Sequence, residues 1–285
     1  MSTNINTNKY VGVGKRFISP TSALPFVCTD ADATAFITAA GLTNVTEKQA
    51  ICQLVQDLKA YNLWSALLTI YPMVGSNSTS CSFNLKNTTQ FQLSWNGIWG
   101  FGTTGAQPNG VNSWADTGLN PASSTALSPQ NISMSYYSRT QSVAAGINAG
   151  SVQLLGAIQY WLNVQIPSDA PNNQYGKLFA SGSSVGNIAS SAAYSKGFST
   201  LTKPKNNVLE VYHSGGLVHS VNVPVPAALP SRNVYLGATN YNGTAAGFGD
   251  KECAWFSVGR TLIALEVSNL YTIVQNFQTT LSRNV

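Results

Sequence analysis

VLEVYHSGGLVHSVNV, residues 208–223, is the stretch on which the fold turns. Ser214-Gly215-Gly216 separates VLEVYH from LVHSVNV, and glycine supplies the positive φ that a tight turn demands, so the stretch predicts a β-hairpin. Upstream and downstream of it, from about Ser82 onward, lie short runs rich in β-branched and aromatic residues, divided by Gly, Pro, Asn and Ser clusters. They predict strands over 82–86, 90–96, 132–140, 152–165, 176–181, 208–213, 217–223, 233–239 and 252–258. Many short strands at this spacing argue for a sandwich or barrel.

The two ends of the chain carry a different period. Residues 1–28 are punctuated by Gly12, Gly14, Pro20 and Pro25 without sustained periodicity and are expected to form an irregular anchoring arm. Residues 29–80 read as a helical unit. A first helix starts near Asp30, with Asp30 and Asp32 in its first turn, buries Phe36, Ile37 and Ala40, and stops at Gly41. Thr46 and Gln49 have capping-box spacing, and Ile51, Leu54, Val55, Leu58 and Tyr61 follow on one helical face. Leu63, Leu67, Leu68 and Ile70 suggest a further short helix or turn before Pro72. At the other end, residues 264–281 place Val267, Leu270, Tyr271, Val274, Phe277 and Leu281 on one face, which must pack on the sheet or on the helical unit.

Composition narrows the function classes. The chain has 285 residues, 44% of them hydrophobic, enough to bury a substantial core. Only 9% are charged, against about 25% in an average soluble domain. The net charge of +5 is spread thinly, and the longest basic cluster is Lys203-Pro204-Lys205, too little for a phosphate-tracking surface, so no nucleic-acid partner is expected. No apolar run is long enough for a membrane span, and the first residues lack the apolar stretch of a secretory signal. The composition is that of an extracellular surface protein without an export signal, a combination that a virion component made in a host cytoplasm and released by lysis satisfies. Cys28, Cys52, Cys81 and Cys253 form no CxxC pair and are expected to be buried free thiols.

A resemblance covers residues 28–285, most specifically at the two ends. The segment TDADATAFITAAGLTNVTEKQAICQLVQDLKAYNLWSALLTIYPMVG (29–75), with FNLKN (83–87) and GAQPNGVNSWADTGLNP (105–121), resembles a module of phage and prophage structural proteins. In such proteins it precedes a concanavalin A-like, laminin-G-type jelly roll. ISMSYYSRT (132–140), LPSRNVYLGATN (229–240) and CAWFSVGRTLIALEVSNLYTIVQNFQTTLSRNV (253–285) are similar to strands and the closing helix of that domain. The resemblance implies an antiparallel jelly-roll sandwich over 81–285 with a packed C-terminal helix. It also implies a virion role, as a head- or tail-associated accessory or fibre subunit partnered by capsid or tail proteins.

Chemistry-bearing motifs are scarce. Glycoside hydrolysis needs two carboxyl groups about 5–10 Å apart. After the acids of predicted helices are set aside, Asp116, Asp169, Glu210 and the Asp250/Glu252 pair remain. Asp250 and Glu252 would share a face if the closing strand reached back to them, but GDKEC lacks the third acid of lectin-fold glucanases, so no catalytic residue is assigned. A polysaccharide-degrading hydrolase using this pair is the alternative function. His213 and His219 could face each other across the hairpin, without further ligands at zinc spacing. GSSVG at 182–186 has the wrong order for a nucleophile elbow, and neither a phosphate loop nor an Asp-rich calcium loop appears, so no cofactor or metal is expected.

Binding is the better-supported chemistry. SWNGIWGFGTTGAQPNGVNSWADTG (94–118) concentrates aromatic residues with amides, a mixture suited to stacking on sugar rings while amides bond hydroxyls. The candidate glycan-binding residues are Trp99, Asn109, Asn112, Trp114 and Asp116. The competing reading has these aromatics sealing a junction. In a second aromatic group, Tyr136, Tyr137, Tyr160 and Trp161, alternation directs one member of each pair inside the sandwich. A host-surface glycan and further copies of the chain in a symmetric homo-oligomer complete the expected partners.

Overall fold

The computed structural model describes residues 26–141, 146–156, 158–165, 176–178, 195–205, 207–223 and 227–285. The predicted arm therefore lies almost wholly outside the described residues, as do Asp169 and residues 182–186. The hairpin forms between β11 (Val208–His213) and β12 (Gly216–Asn222), with Val208 opposite Asn222 and His213 opposite Gly216. Its loop is two residues, not three. Ser214 (φ +48°) and Gly215 (φ +79°) both adopt positive φ, the pairing of a type I′ turn that matches strand twist, which leaves Gly216 in the strand.

Two eight-stranded sheets stack as a sandwich. The first contains β1 (Leu67–Tyr71), β3 (Trp99–Gly102), β4 (Gly105–Pro108), β6 (Ser133–Ser138), β10 (Gly197–Lys205), β11, β12 and β16 (Cys253–Gly259). Its order is β12-β11-β10-β6-β16-β4-β3, with β1 also on β16. The second contains β2 (Ser94–Asn96), β5 (Trp114–Asp116), β7 (Ala149–Leu155), β8 (Ile158–Val164), β9 (Gly176–Leu178), β13 (Tyr235–Leu236), β14 (Thr239–Tyr241) and β15 (Thr244–Ala246). Every strand pairing among the described residues is antiparallel except β14 with β7. The fold is thus mainly β, an antiparallel jelly-roll sandwich with flanking helices.

Strand alternation produces two cores from the first sheet. Tyr136, Phe256, Val258, Leu201 and Val211 point into the sandwich, where they meet Ala115, Ala149, Leu162, Val164 and Leu236 of the second sheet. Tyr137, Trp255, Phe198 and Tyr212 point the other way, under α1 (Ala31–Ala39), α2 (Val45–Ala60) and α4 (Ala264–Thr280). Every residue of β16 is accordingly buried. The closing helix packs on both predicted partners, α2 and the sheet, and it adds Ile273 to the face read from the sequence. Beyond it, the buried Arg283 donates to the carbonyls of Pro72, Met73 and Ala254, which ties the chain end to β1 and β16.

Several elements differ from the sequence reading for identifiable reasons. Residues 67–71 form a strand rather than a helix or turn, because Leu67 to Tyr71 find an open edge of β16 and bury four of their five side chains. The predicted strand 82–86 is irregular. Ser82 closes the short helix α3 (Ser78–Ser82), and the Asn84 side chain accepts from the Ile70 amide in place of a strand partner. The run 152–165 is a hairpin of β7 and β8 turned at Gly156 (φ +62°). The unpredicted β10 is the central strand between β11 and β6, hidden by its hydroxyl-rich sequence and by Pro204. Proline cannot donate to a ladder, and the β10–β11 register shifts between Thr202 and Lys205, where Pro204 sits. The basic cluster therefore belongs to a strand, and burial lowers the pKa of the Lys203 ammonium to about 8.

Caps and cysteines also depart from expectation. Asp30 caps α1 from just outside the first turn, accepting from the Asp32 and Ala33 amides, and α2 is capped by Asn44, whose Oδ1 accepts from the Glu47 amide. Thr46 lies inside the helix. Cys28 and Cys52 form a disulfide, which corrects the expectation of four free thiols; the fold brings together residues that 24 positions of sequence separate. Cys81 and Cys253 are free and buried.

Candidate functional site

The five residues singled out from the sequence fall into two environments. Trp99 belongs to a packing cluster. Its ring lies 4.8 Å from Trp95, edge to face, and Trp95 lies 4.9 Å from Phe101 in the same manner. Both indole N–H groups are satisfied by backbone carbonyls, Trp99 to Asn96 at 3.0 Å and Trp95 to Ser78 at 2.9 Å. All three rings rest on the sandwich core, where β2 of one sheet meets β3 of the other. Trp99 also presses on the backbone of Gly237, where an added Cβ would stand 2.8 Å from the ring. These aromatics close the edge of the sandwich.

Asn109 and Asn112 build their own loop. Asn109 Oδ1 accepts from the amides of Val111, Asn112 and Ser113 at 2.9, 3.0 and 3.2 Å. Its Nδ2 donates to Asn112 Oδ1 at 2.7 Å. An Asn side chain that organises a turn in this way has little hydrogen-bonding capacity left for a ligand.

Trp114 and Asp116 are differently placed. Ala115 between them enters the sandwich core, so both direct their side chains to the outer face of the second sheet. Trp114 stacks on Tyr235 with ring centroids 4.2 Å apart and planes 27° from parallel, and part of Trp114 stays exposed. Both Asp116 oxygens accept from Asn233 Nδ2, at 3.1 and 3.2 Å, and Oδ1 also accepts from the Gly118 amide at 2.7 Å. Burial, then the Asp116 charge, raises the pKa of the Tyr235 phenol.

The same face carries a second aromatic pair. Trp161 alternates with the core residue Leu162 and lies 6.1 Å from Tyr241. Between the pairs, Asn163 Oδ1 accepts from Thr239 Oγ1 at 3.0 Å, reaching across Gly150, where an added Cβ would stand 1.9 Å from that oxygen. Sequence reasoning missed Asn233, Tyr235 and Tyr241. The signal lay in LPSRNVYLGATN, whose polar and aromatic residues alternate with core residues.

The acidic residues are engaged. Asp250 and Glu252 precede β16, which begins at Cys253, so strand alternation does not set their faces. The Glu252 carboxylate accepts from Thr104 Oγ1 and lies 3.8 Å from Arg139. Asp250 lies 3.4 Å from the buried Lys251 ammonium. Glu210 accepts from the Tyr212 hydroxyl at 2.6 Å. The two histidines do not face each other, because His219 pairs with Val211 and His213 with Gly216. Burial lowers His213 to about 4, and its Nδ1 lies 3.1 Å from Ser199 Oγ. Among the described residues no group of three or more His, Cys, Asp or Glu is placed to hold a metal ion. Nor is any helix there long and apolar enough to cross a membrane.

No protein-family model and no curated protein matches the chain. Solved structures do. A mutant Trypanosoma rangeli sialidase with trans-sialidase activity aligns at 15% identity and a TM-score of 0.48, over 79% of this chain and 39% of its own. Domain 4 of AbnA, a GH43 extracellular arabinanase from Geobacillus stearothermophilus, in complex with arabinotriose, aligns at 14% identity and a TM-score of 0.42, over 72% of this chain and 98% of its own. The botulinum neurotoxin serotype D binding domain aligns at 10% identity and a TM-score of 0.45, over 73% of this chain and 52% of its own. The chain spans about two fifths of the length of the sialidase.

Proposed function

We propose that this chain is a phage-type virion structural protein, a head- or tail-associated subunit, whose sandwich adheres to host-surface glycans through the outer face of its second sheet. The observation that carries the adhesive part is the Trp114–Tyr235 stack beside an Asp116 carboxylate fixed by Asn233. Sugar recognition needs a flat apolar surface next to fixed acceptors and donors, because each ring offers both C–H faces and hydroxyls. The original set of five is reduced accordingly to Trp114 and Asp116, joined by Asn233 and Tyr235.

The virion role rests on the resemblance over residues 28–285 and on the weakly charged composition. In this reading the chain binds without cleaving, since Glu252 is held by Thr104 and Arg139 and Asp250 by Lys251. Its partners are capsid or tail proteins and further copies of itself, repeated as symmetric virion parts are. Two measurements test the proposal. Immunogold labelling of purified particles is expected to mark one defined position; protein left in the lysate with bare particles refutes the virion role. On a glycan array the intact chain should bind a limited set of glycans and Trp114→Ala should lose about tenfold in affinity. Equal binding by the variant removes the adhesive face.

A further inference from the structure

On the opposite side of the molecule, where helices cover the first sheet, a groove runs between α2 and α4. Asn269, Thr272, Ile273 and Asn276 follow one another at i, i+3, i+4 and i+7 of α4 and so form one stripe. Asp57 and Tyr61, one turn apart at the end of α2, face that stripe across a cavity of about 270 Å³ lined by these six residues. Ile273, only 3% exposed, is its apolar floor, and the Tyr61 side of the groove is open, that residue being 53% exposed.

The polar groups lining this cavity differ from those of the Asn109 loop in what they bond. Among the described residues, neither the Asn269 and Asn276 amides nor the Tyr61 hydroxyl has a hydrogen-bond partner. Asp57 Oδ1 accepts from Gln53 Nε2 at 2.8 Å, which leaves Oδ2 open. Thr272 Oγ1 donates to the Ser268 carbonyl at 3.0 Å and keeps its acceptor capacity. Two bifunctional amides, one carboxylate oxygen, two hydroxyls and an aromatic ring thus belong to residues that line one small space.

We infer that this groove binds a single neutral sugar ring, at a site separate from the Trp114 face and resting on independent observations. The volume lies just below the usual range of about 300–1,000 Å³ for drug-sized ligands, which suits one ring rather than a chain. Vicinal hydroxyls both donate and accept, as the two amides do, and the Asp57 oxygen accepts a hydrogen bond from a hydroxyl. The carboxylate, with no Lys or Arg in the lining, disfavours phosphate and other anions. The lining offers only Ile273 and Tyr61 as apolar contacts, too few to anchor a partner helix.

The test is a titration of the 15N-labelled full chain with methyl glycosides of neutral hexoses and N-acetylhexosamines, read on the side-chain amides of Asn269 and Asn276. At least one glycoside is expected to move both signals. Tyr61→Ala and Asn269→Ala, surface changes that leave the Ile273 floor intact, should each weaken the response of the Asn276 amide about fivefold. Trp114→Ala should leave it unchanged. The inference is overturned if no glycoside moves the two amides at saturating concentration, if the response survives both variants undiminished, or if inorganic phosphate moves the same signals equally. Array binding that depends on Trp114 while the two amides stay silent would uphold the adhesive face and remove only this site.

Discussion

The two sheets of the sandwich differ in how many faces they bury. Both faces of the central strands of the first, β10, β6 and β16, are covered, by the second sheet on one side and by α1, α2 and α4 on the other, so adjacent residues such as Tyr136 and Tyr137 or Trp255 and Phe256 serve different cores. The second sheet contributes one face to the sandwich core and on the other carries Trp114, Tyr235, Trp161 and Tyr241. A buried aromatic residue in the first sheet is therefore committed to packing, whereas on the outer face of the second Trp114 and Trp161 stay partly exposed. The comparison breaks most sharply at Trp255, which is 0% exposed and donates its indole N–H to Ser257 at 3.1 Å. Trp255→Ala is expected to cost about 3–5 kcal/mol of stability in chemical denaturation, because the cavity would lie between two packed layers. A loss below about 1 kcal/mol would mean that the helical layer is not coupled to the sheet.

The helical layer has its own covalent tie. The Cys28–Cys52 bond joins the segment before α1 to α2 and closes a loop with a sequence separation of 24. Loop-closure entropy for such a span corresponds to about 3 kcal/mol, so Cys28→Ser should lower stability by about that amount. Reducing agent should do the same to the intact chain and nothing further to the variant. If the variant and the intact chain unfold at the same denaturant concentration, the tie does not constrain the unfolded state.

The same contrast explains how far the sequence was legible. The hairpin at 208–223 and the closing helix were readable because turn chemistry and a 3.6-residue period are local signals. β10 was not, since GFSTLTKPK looks like a loop and becomes a central strand only because β6 and β11 flank it. Residues 67–71 illustrate the same limit: a five-residue apolar run fits helix or strand until β16 offers its edge. Of the candidate site, the aromatic enrichment of 94–118 was visible, but which rings turn outward was not. Trp99 and Trp114 look alike in sequence, and only the register of β3 and β5 sends one to the sandwich edge and the other to Tyr235. The Cys28–Cys52 pairing was hidden for the same reason, being a product of tertiary proximity.

A smaller effect should separate the hairpin from the helical layer it touches. Burial lowers the pKa of His213 to about 4, below its ordinary 6.5. The unfolded chain then binds more protons than the folded one between those values. Stability from this group is complete above pH 6.5 and is lost as pH falls towards 4. Because the ring is partly exposed, the expected loss is about 1–2 kcal/mol rather than the full shift. Denaturation midpoints measured across that window should slope for the intact chain and flatten for His213→Gln. A slope unchanged in the variant would assign the pH dependence to other groups.

The smallest stability effect is expected at the residue with the largest proposed role in binding. Trp114 lies on the outer face of the second sheet, partly exposed, and the contact it would forfeit on truncation is the stack on Tyr235. Trp114→Ala should therefore cost about 1 kcal/mol, the scale of one aromatic pair. Trp99→Ala should cost more, because Trp99 rests on the core and on Gly237. Paired denaturation curves for the two variants check the order. If Trp114→Ala proves the more destabilising, the outer face is a packing surface like the sandwich edge, and the distinction between a committed and an available sheet fails where it was meant to identify function.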